Sequence, residues 1–454
     1  MKSGASVPAG GMSVGRRAFL RGALSTAALG AALGISGSSL LAGCSIQPNS
    51  QVPTTSGIQL WHLFTGGDGG VFSRMMDLVQ QQDPSIAIDP VVLTWGGPYY
   101  TKLAMASVGG RAPDLAVMHA TRLAGYAPGG LLDGWDLDRL AQAGIDINRF
   151  PEALINRCRV GDTLYGIPLD FHAFVMLYNK DICADAGVLN DDGTLALEPG
   201  EEGFHNLATT LSNHLGAPAI SYGYTGDGAQ MSRMFWSLYA QIGAACELVP
   251  GREAVFDLDA AAKVIEWGQS TFNDEVGVKN LDYGGGVASF STGRSALNFN
   301  GNWEIPAFEG AGLNLGVQVM PQIFDHPATF GDSHVFVLPH QTSVDEDARD
   351  TAYAVVAGML SNSLDWAKGG HIPSSDEVTQ SAEYLAMHPY CDYVEAKEIA
   401  VFEPSAWFTG SGSDFQARLG EVVQDAWLGG TDPHACAQAL KDRLDAFLAM
   451  EPPA

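Results

Sequence analysis

Between Ile58 and His119 the hydrophobic period switches repeatedly, and this switching narrows the possible folds more than any other feature of the chain. Ile58–Phe64 is an apolar run of strand length. Val71, Phe72, Met75, Met76 and Val79 then recur at helical spacing, and Asp83-Pro84 closes that helix because a proline disfavours helical backbone before it. "IAIDPVVLTW" (Ile86–Trp95) reads as a second strand and Tyr99–Val108 as a second helix. "GGRAPDLAVMH" (Gly109–His119) reads as a glycine turn entering a third strand. Strand, helix, strand, helix, strand at this pace calls for right-handed βαβ units and a mostly parallel sheet, so the class is α/β. Further on, "SVDEDARDTAYAVVAGMLSNS" opens with Ser343 and Glu346 spaced as a capping box, ahead of an apolar face of Ala348, Ala352, Val355, Val356, Met359 and Leu360. The 454 residues leave room for two or three domains.

The first 43 residues read differently. "SVGRRAFLRG" (Ser13–Gly22) sets Arg16 and Arg17 ahead of Phe19-Leu20, and Gly22–Gly43 carries no charge. The segment ends in "LLAGC", small residues before Cys44. Twin arginines, an apolar stretch and a small-residue ending resemble a twin-arginine export signal followed by a lipoprotein cleavage site. On that reading 1–43 is a signal peptide and Cys44 is lipidated. Residues 44–57, polar with Pro, Ser and Thr, would be the tether. The competing reading is a short membrane anchor with a chance cysteine. The five later cysteines (158, 183, 246, 391 and 436) show no CxxC pair and no zinc-ligand spacing, so they read mostly as small buried hydrophobes. No metal and no cofactor is expected.

The formal charge is −27, from 24 Lys and Arg against 51 Asp and Glu. Such a field repels a phosphate backbone, which argues against a nucleic-acid partner. It also bears on "FTGGDGG" (Phe64–Gly70), a glycine-rich turn between strand and helix. The turn lacks the Lys-Ser/Thr of a P-loop and the GxGxxG spacing, and Asp68 would oppose a phosphate at the helix start. The glycines instead let backbone N–H groups approach a ligand, while Asp68 accepts hydrogen bonds from it or caps the helix.

Taken in order, several segments resemble the extracellular solute-binding proteins of ABC carbohydrate importers, of the maltodextrin-binding type. "LWHLFTGGDG" is similar to that family's first strand and loop, and "GGRAPDLAVM" to its third strand. "LYGIPLDFHAFVMLYNKDICADAGV" (Leu164–Val188) resembles the first crossing between lobes. "FSTGRSALNFNGNWEIPAF" (Phe290–Phe308) is similar to the Gly-(Lys/Arg)-x-Ala…Asn-Gly-x-Trp signature, and "GGHIPSS" (Gly369–Ser375) to the last crossing. The resemblance implies a two-lobed periplasmic-binding-protein-like α/β fold, with hinge-connected lobes and a ligand cleft between them. Lobe 1 would be 58–165 plus 317–362, and lobe 2 would be 166–316 plus 363–454. It implies a monomeric, non-catalytic protein on the outer face of the cell membrane, held only by its N-terminal lipid. Such a protein captures a sugar, closes on it by hinge motion and delivers it to ABC permease subunits.

A pyranose offers apolar C–H faces and a ring of hydroxyls, so its site needs aromatic platforms with planar donors and acceptors. In open α/β sheets ligands meet the loops at the carboxyl ends of strands. Candidates there are His62, Gly66, Asp68, Trp95 and His119, with Asp170 and His172 at the first crossing. Trp303, in the signature motif, is the leading candidate for stacking, flanked by Asn300 and Glu304. Asp332 and His334 precede the returning strand, and Trp407 lies in a Gly/Ser-rich loop. Each has a structural alternative: core packing for the aromatics, capping for Asn300 and Glu304, and an interior hydrogen-bonded histidine for His172. Of Trp61 and His62, which alternate along a strand, Trp61 is assigned to the core and His62 to the ligand. Trp135, Trp267 and Trp366 are read as structural. Two other functions stay open. One is a lipid-anchored glycoside hydrolase, for which no carboxylate pair is singled out. The other is the same fold binding a polyamine or another non-sugar solute.

Overall fold

A computed structural model describes residues 57–452. The signal peptide, the arginines Arg16 and Arg17, and the lipidated Cys44 lie outside the described residues. Along the chain run strands β1 (Ile58–His62), β2 (Ile88–Val92), β3 (Leu115–His119), β4 (Leu132–Asp133), β5 (Ile167–Pro168) and β6 (Asp170–Asn179). They continue as β7 (Ile220–Ser221), β8 (Leu297–Gly301), β9 (Leu315–Val319), β10 (Thr329–Asp332), β11 (His334–Pro339), β12 (Ile372–Pro373) and β13 (Ala400–Val401). The longer helices are α1 (Gly67–Gln82), α2 (Gly97–Val108), α3 (Glu201–Leu215), α4 (Gly228–Gln241), α5 (Leu258–Thr271), α6 (Glu346–Ser361), α7 (Asp414–Gly429) and α8 (Pro433–Leu448).

Two main sheets result. The first has the order β2-β1-β3-β11-β4, with β5 also paired to β11. Its first three strands are parallel, as the alternating pattern requires, and α1 buries Val71, Phe72, Met75, Met76 and Val79 against them. The second has the order β13-β10-β6-β8-β7, with β9 and β12 also on β6. Every residue of β6 is buried, because strands flank both edges and apolar clusters cover both faces. Phe171, Ala173, Val175 and Leu177 enter one cluster, and Phe174, Met176 and Tyr178 the other. At its first turn the second face carries Asp170 and His172 instead, which marks where that face stops being core.

Three stretches pass between the sheets. Leu169 separates β5 from β6, Ser333 separates β10 from β11, and 368–371 separate the Trp366 helix from β12. These pairings correct the expected lobe boundaries. Ile167–Pro168 pairs with β11 of the first sheet, so the crossing comes after residue 165, where it was expected. Val317–Val319 and Thr329–Asp332 pair with β6, so the segment beginning at 317 stays with the second sheet until residue 332. Trp366 packs in the first sheet's core, so the last crossing follows it instead of preceding it at 363. The capping-box reading also changes: Asp345, not Ser343, caps α6, accepting from the N–H groups of Asp347 and Ala348. The five later cysteines are free thiols, and all but the half-buried Cys246 are buried. Among the described residues no helix is long and apolar enough to cross a membrane.

Candidate functional site

At the crossings the sheets enclose a cavity of about 350 Å³. One wall is the glycine turn after β1: Leu63, Thr65, Gly66 and Asp68 line it. The turn is tight because Gly69 packs onto the Phe64 carbonyl, where a Cβ would stand 2.9 Å from the oxygen. Asp68 is buried in the first turn of α1, yet the helix N-cap Gly66 makes no side-chain cap bond. Its carboxylate is not spent on a cap and instead faces His371 Nε2 at 3.5 Å.

The opposite wall comes from β8 and the turn after it. Trp303 lies back over Gly301, whose Cβ, if present, would fall 2.0 Å from the ring. The Asn-Gly-x-Trp spacing therefore has a physical cause: only glycine lets the indole fold over the strand end. Trp303 Nε1 donates to Tyr283 Oη at 2.9 Å, and that hydroxyl donates to Glu304 at 2.5 Å. Burial raises the Glu304 carboxyl above its ordinary range, against the lowering effect of the Tyr283 bond. Arg233 of α4 reaches in beneath both indoles, its guanidinium carbon 4.7 Å from the Trp303 ring and 5.7 Å from Trp95. Asp227, which caps α4 by accepting from Gln230 N, completes that side.

The floor is a group of imidazoles around a buried carboxylate. His119, His172, His334 and His371 line the cavity. His172 stacks on His334 at 4.3 Å, and His334 lies 4.6 Å from His119. Beneath them Asp170 accepts from the backbone N–H of His334 (2.9 Å), from His334 Nδ1 (2.8 Å) and from Trp366 Nε1 (2.7 Å). Burial pushes the Asp170 carboxyl upward, but the His334 and His371 imidazoles and the side-chain bonds from His172 and His334 outweigh it and hold it well below the usual carboxylate range. Burial lowers His119 strongly and takes His172 to about 3, so both are neutral and each can donate and accept.

The structure thus gathers Gly66, Asp68, Trp95, His119, His172, Trp303, Glu304 and His334 around one cavity. The other candidates fall elsewhere. His62 is buried against Phe72 and Phe64 behind the glycine turn, where burial holds it near 4; like Trp61 it is core, so their opposite faces are both packed. Asp170 lies under the floor. Asn300 is spent on Gln230 Nε2 and its neighbour Gly301 N. Asp332 takes Thr121 Oγ1 and two backbone N–H groups, clipping the turn after β3 to the second crossing. Trp407 packs on Phe408 and Phe447, away from the cavity.

Sequence reasoning missed Leu63, Thr65, Asp227, Arg233, Tyr283 and His371. Two of these carried a signal. His371 stands in the last-crossing motif, and Arg233 is a lone charge in the apolar helix run "MSRMFWSL".

Residues 98–389, more than half the chain, match the model of the bacterial extracellular solute-binding protein family. The chain belongs to that family. A curated relative, the maltooligosaccharide ABC transporter solute-binding lipoprotein of Streptococcus pneumoniae serotype 4, is 24% identical over 298 residues. That match covers 62% of this chain and 64% of the relative, so the chain spans somewhat under two thirds of the length of the curated relatives it matches. Among solved structures, maltose-bound MalE3 of T. maritima aligns with a TM-score of 0.71 at 14% identity, covering 86% of this chain and 99% of that one. The GacH receptor of Streptomyces glaucescens, solved without ligand and with acarbose, aligns with a TM-score of 0.70 at 18% identity, covering 86% and 98%. This solute-binding protein therefore has the two-lobed, periplasmic-binding-protein-like fold. Its relatives with printed functions are binding proteins.

Proposed function

We propose that this solute-binding protein captures an oligosaccharide in the cavity and hands it to the permease of an ABC importer, without catalysis. The observation that carries the reading is the pairing of Trp95, from the strand ends of the first sheet, with Trp303, from the second, around one cavity that also presents polar groups. Indole faces suit pyranose C–H faces, and neutral His119 and His172 with Asp68, Asp227 and Glu304 suit a ring of hydroxyls. The maltooligosaccharide name of the curated relative and the sugars in the solved complexes point the same way. Because the walls belong to different sheets, a ligand touching both favours closure about the three crossings. The N-terminal motifs support export and anchoring through Cys44, which would place a monomer on the outer face of the cell membrane.

Calorimetry of the purified chain against linear and cyclic maltooligosaccharides tests the reading, with spermidine as the non-sugar comparison. Micromolar or tighter binding of one sugar is expected, with a melting shift that grows with its concentration; a ligand at 100 times Kd stabilises by about 2.7 kcal/mol. No sugar binding alongside spermidine binding would replace the sugar reading with the polyamine one. Release of reducing ends from the sugars would replace it with a hydrolase.

A further inference from the structure

The sugar reading uses the imidazoles of the floor singly and gives no reason for their arrangement as a set. Asp170 and His172 come from the first crossing, His334 from the second and His371 from the third. One ligand-type atom from each falls within 4.8 Å of all the others. Around the Asp170 carboxylate, the Nδ1 atoms of His334, His371 and His172 stand at 2.8, 3.3 and 3.4 Å. A tetrahedral ion with bonds of roughly 2.0–2.1 Å holds its ligand atoms about 3.3 Å apart, so small side-chain rotations close the set around an ion.

His371 supplies an independent pointer. It is fully buried, yet among the described residues neither ring nitrogen has a hydrogen-bond partner. Its ring is fixed by parallel stacking on Trp366 at 4.4 Å, so it does not turn away to find one. Leaving a buried polar group unpaired is unfavourable, and a ligand on Nδ1 would relieve it. The outer contacts of a metal site are also in place. Trp366 Nε1 orients the Asp170 carboxylate, and Asp68 Oδ2 faces the far nitrogen of His371 at 3.5 Å, where a ligating histidine keeps its N–H.

We propose that Asp170, His172, His334 and His371 form a site for one divalent transition-metal ion of the zinc class, which ties the three crossings together. Three imidazoles and one carboxylate select a borderline ion over calcium or magnesium, which prefer oxygen shells. Four protein ligands close a tetrahedron, so the ion stiffens the hinge and the floor and leaves no open position for chemistry. Binding through Nδ1 requires His334 and His172 to carry their hydrogens on Nε2, giving up their Nδ1 bonds to Asp170.

The test is calorimetric titration of zinc sulfate into the full chain after dialysis against a chelator, with elemental analysis of the retained metal and melting curves. One zinc per chain is expected, with a melting temperature raised by several degrees and no comparable shift with calcium or magnesium. His371→Gln and His172→Gln should each weaken zinc at least tenfold. The pair His388→Gln with Asp392→Asn, which removes an exposed group of ligand-type residues, should leave zinc binding unchanged. If the wild-type chain takes up no zinc, or if zinc binding is lost in the His388/Asp392 pair, the site is not this one. Full-strength zinc binding by either floor variant would overturn it equally. Should one floor variant misfold, the other and the wild-type titration still decide.

Discussion

Trp303 and Trp407 both border Gly-containing turns, but their rings touch different things. Trp303 lines the cavity beside Trp95, with Arg233 beneath both; Trp407 packs among phenylalanines. Trp303→Ala is therefore expected to weaken sugar binding by about tenfold or more, some 1.4 kcal/mol, in calorimetry. Trp407→Ala should lower the melting temperature and leave the affinity unchanged. Equal losses of affinity would remove the assignment of the cavity wall. Glu403 offers a test of electrostatics away from the cavity. It is buried, its Oε2 accepts from Gln416 and its Oε1 has no partner among the described residues. Burial, with Asp332 adding to it, raises its carboxyl to about 7, partly offset by the Gln416 bond. Between the ordinary glutamate range and pH 7 the folded chain thus holds a proton that the unfolded chain has lost, so this group's contribution to stability falls as pH rises through that window. Glu403→Gln should then melt close to wild type near pH 4.5 and above it at pH 8. The gap should be on the order of 3 kcal/mol at 1.36 kcal/mol per pKa unit. A gap that does not widen with pH would refute the assignment.

At the scale of elements, what was legible in the sequence was whatever a periodicity or a turn residue encodes. α1 buries the five residues its spacing selected and ends at Gln82, before Asp83-Pro84. β3 and the helix before it also stand where the alternation puts them. The crossings were displaced because they are set by pairing between segments far apart in the chain. Val317–Val319 joins β6 through ladder bonds to residues 175–177, a choice no local pattern records. For the same reason Arg233, Tyr283 and Asp227 were missed: they reach the cavity from α4, from its N-cap and from the start of the helix Tyr283–Ser291, whose placement is tertiary. His62 failed differently. Strand alternation separates two faces, but both faces of β1 are covered, so pointing away from Trp61 does not mean pointing at the ligand. The Asn-Gly-x-Trp element yields its own prediction. A Cβ at residue 301 would occupy the space of the Trp303 ring, while the backbone φ near Gly301 of −84° suits any residue. Gly301→Ala should therefore displace the indole and weaken sugar binding as much as Trp303→Ala does. The chain should remain folded by circular dichroism. Retained affinity would mean the ring does not depend on that gap.

For the molecule as a whole, the question is what the three crossings permit. Each is short, and side chains from all three meet at Asp170 and the imidazoles around it, with Trp366 donating from below. A relative rotation of the sheets must turn about this knot, and the Trp95 and Trp303 walls, which belong to different sheets, move relative to one another as it does. A ligand bridging those walls pulls them together, so its binding energy is coupled to closure, and a ligand with no differential contact cannot drive it. Small-angle scattering on the purified chain should therefore show a smaller radius of gyration on saturation with the sugar identified by calorimetry. Trp303→Ala, saturated with the same sugar at a correspondingly higher concentration, should close less completely, because one of the two walls has lost its main contact. If the wild-type radius stays constant while calorimetry shows full occupancy, the sugar binds a preformed enclosure, and the crossings act as a rigid floor instead of a hinge.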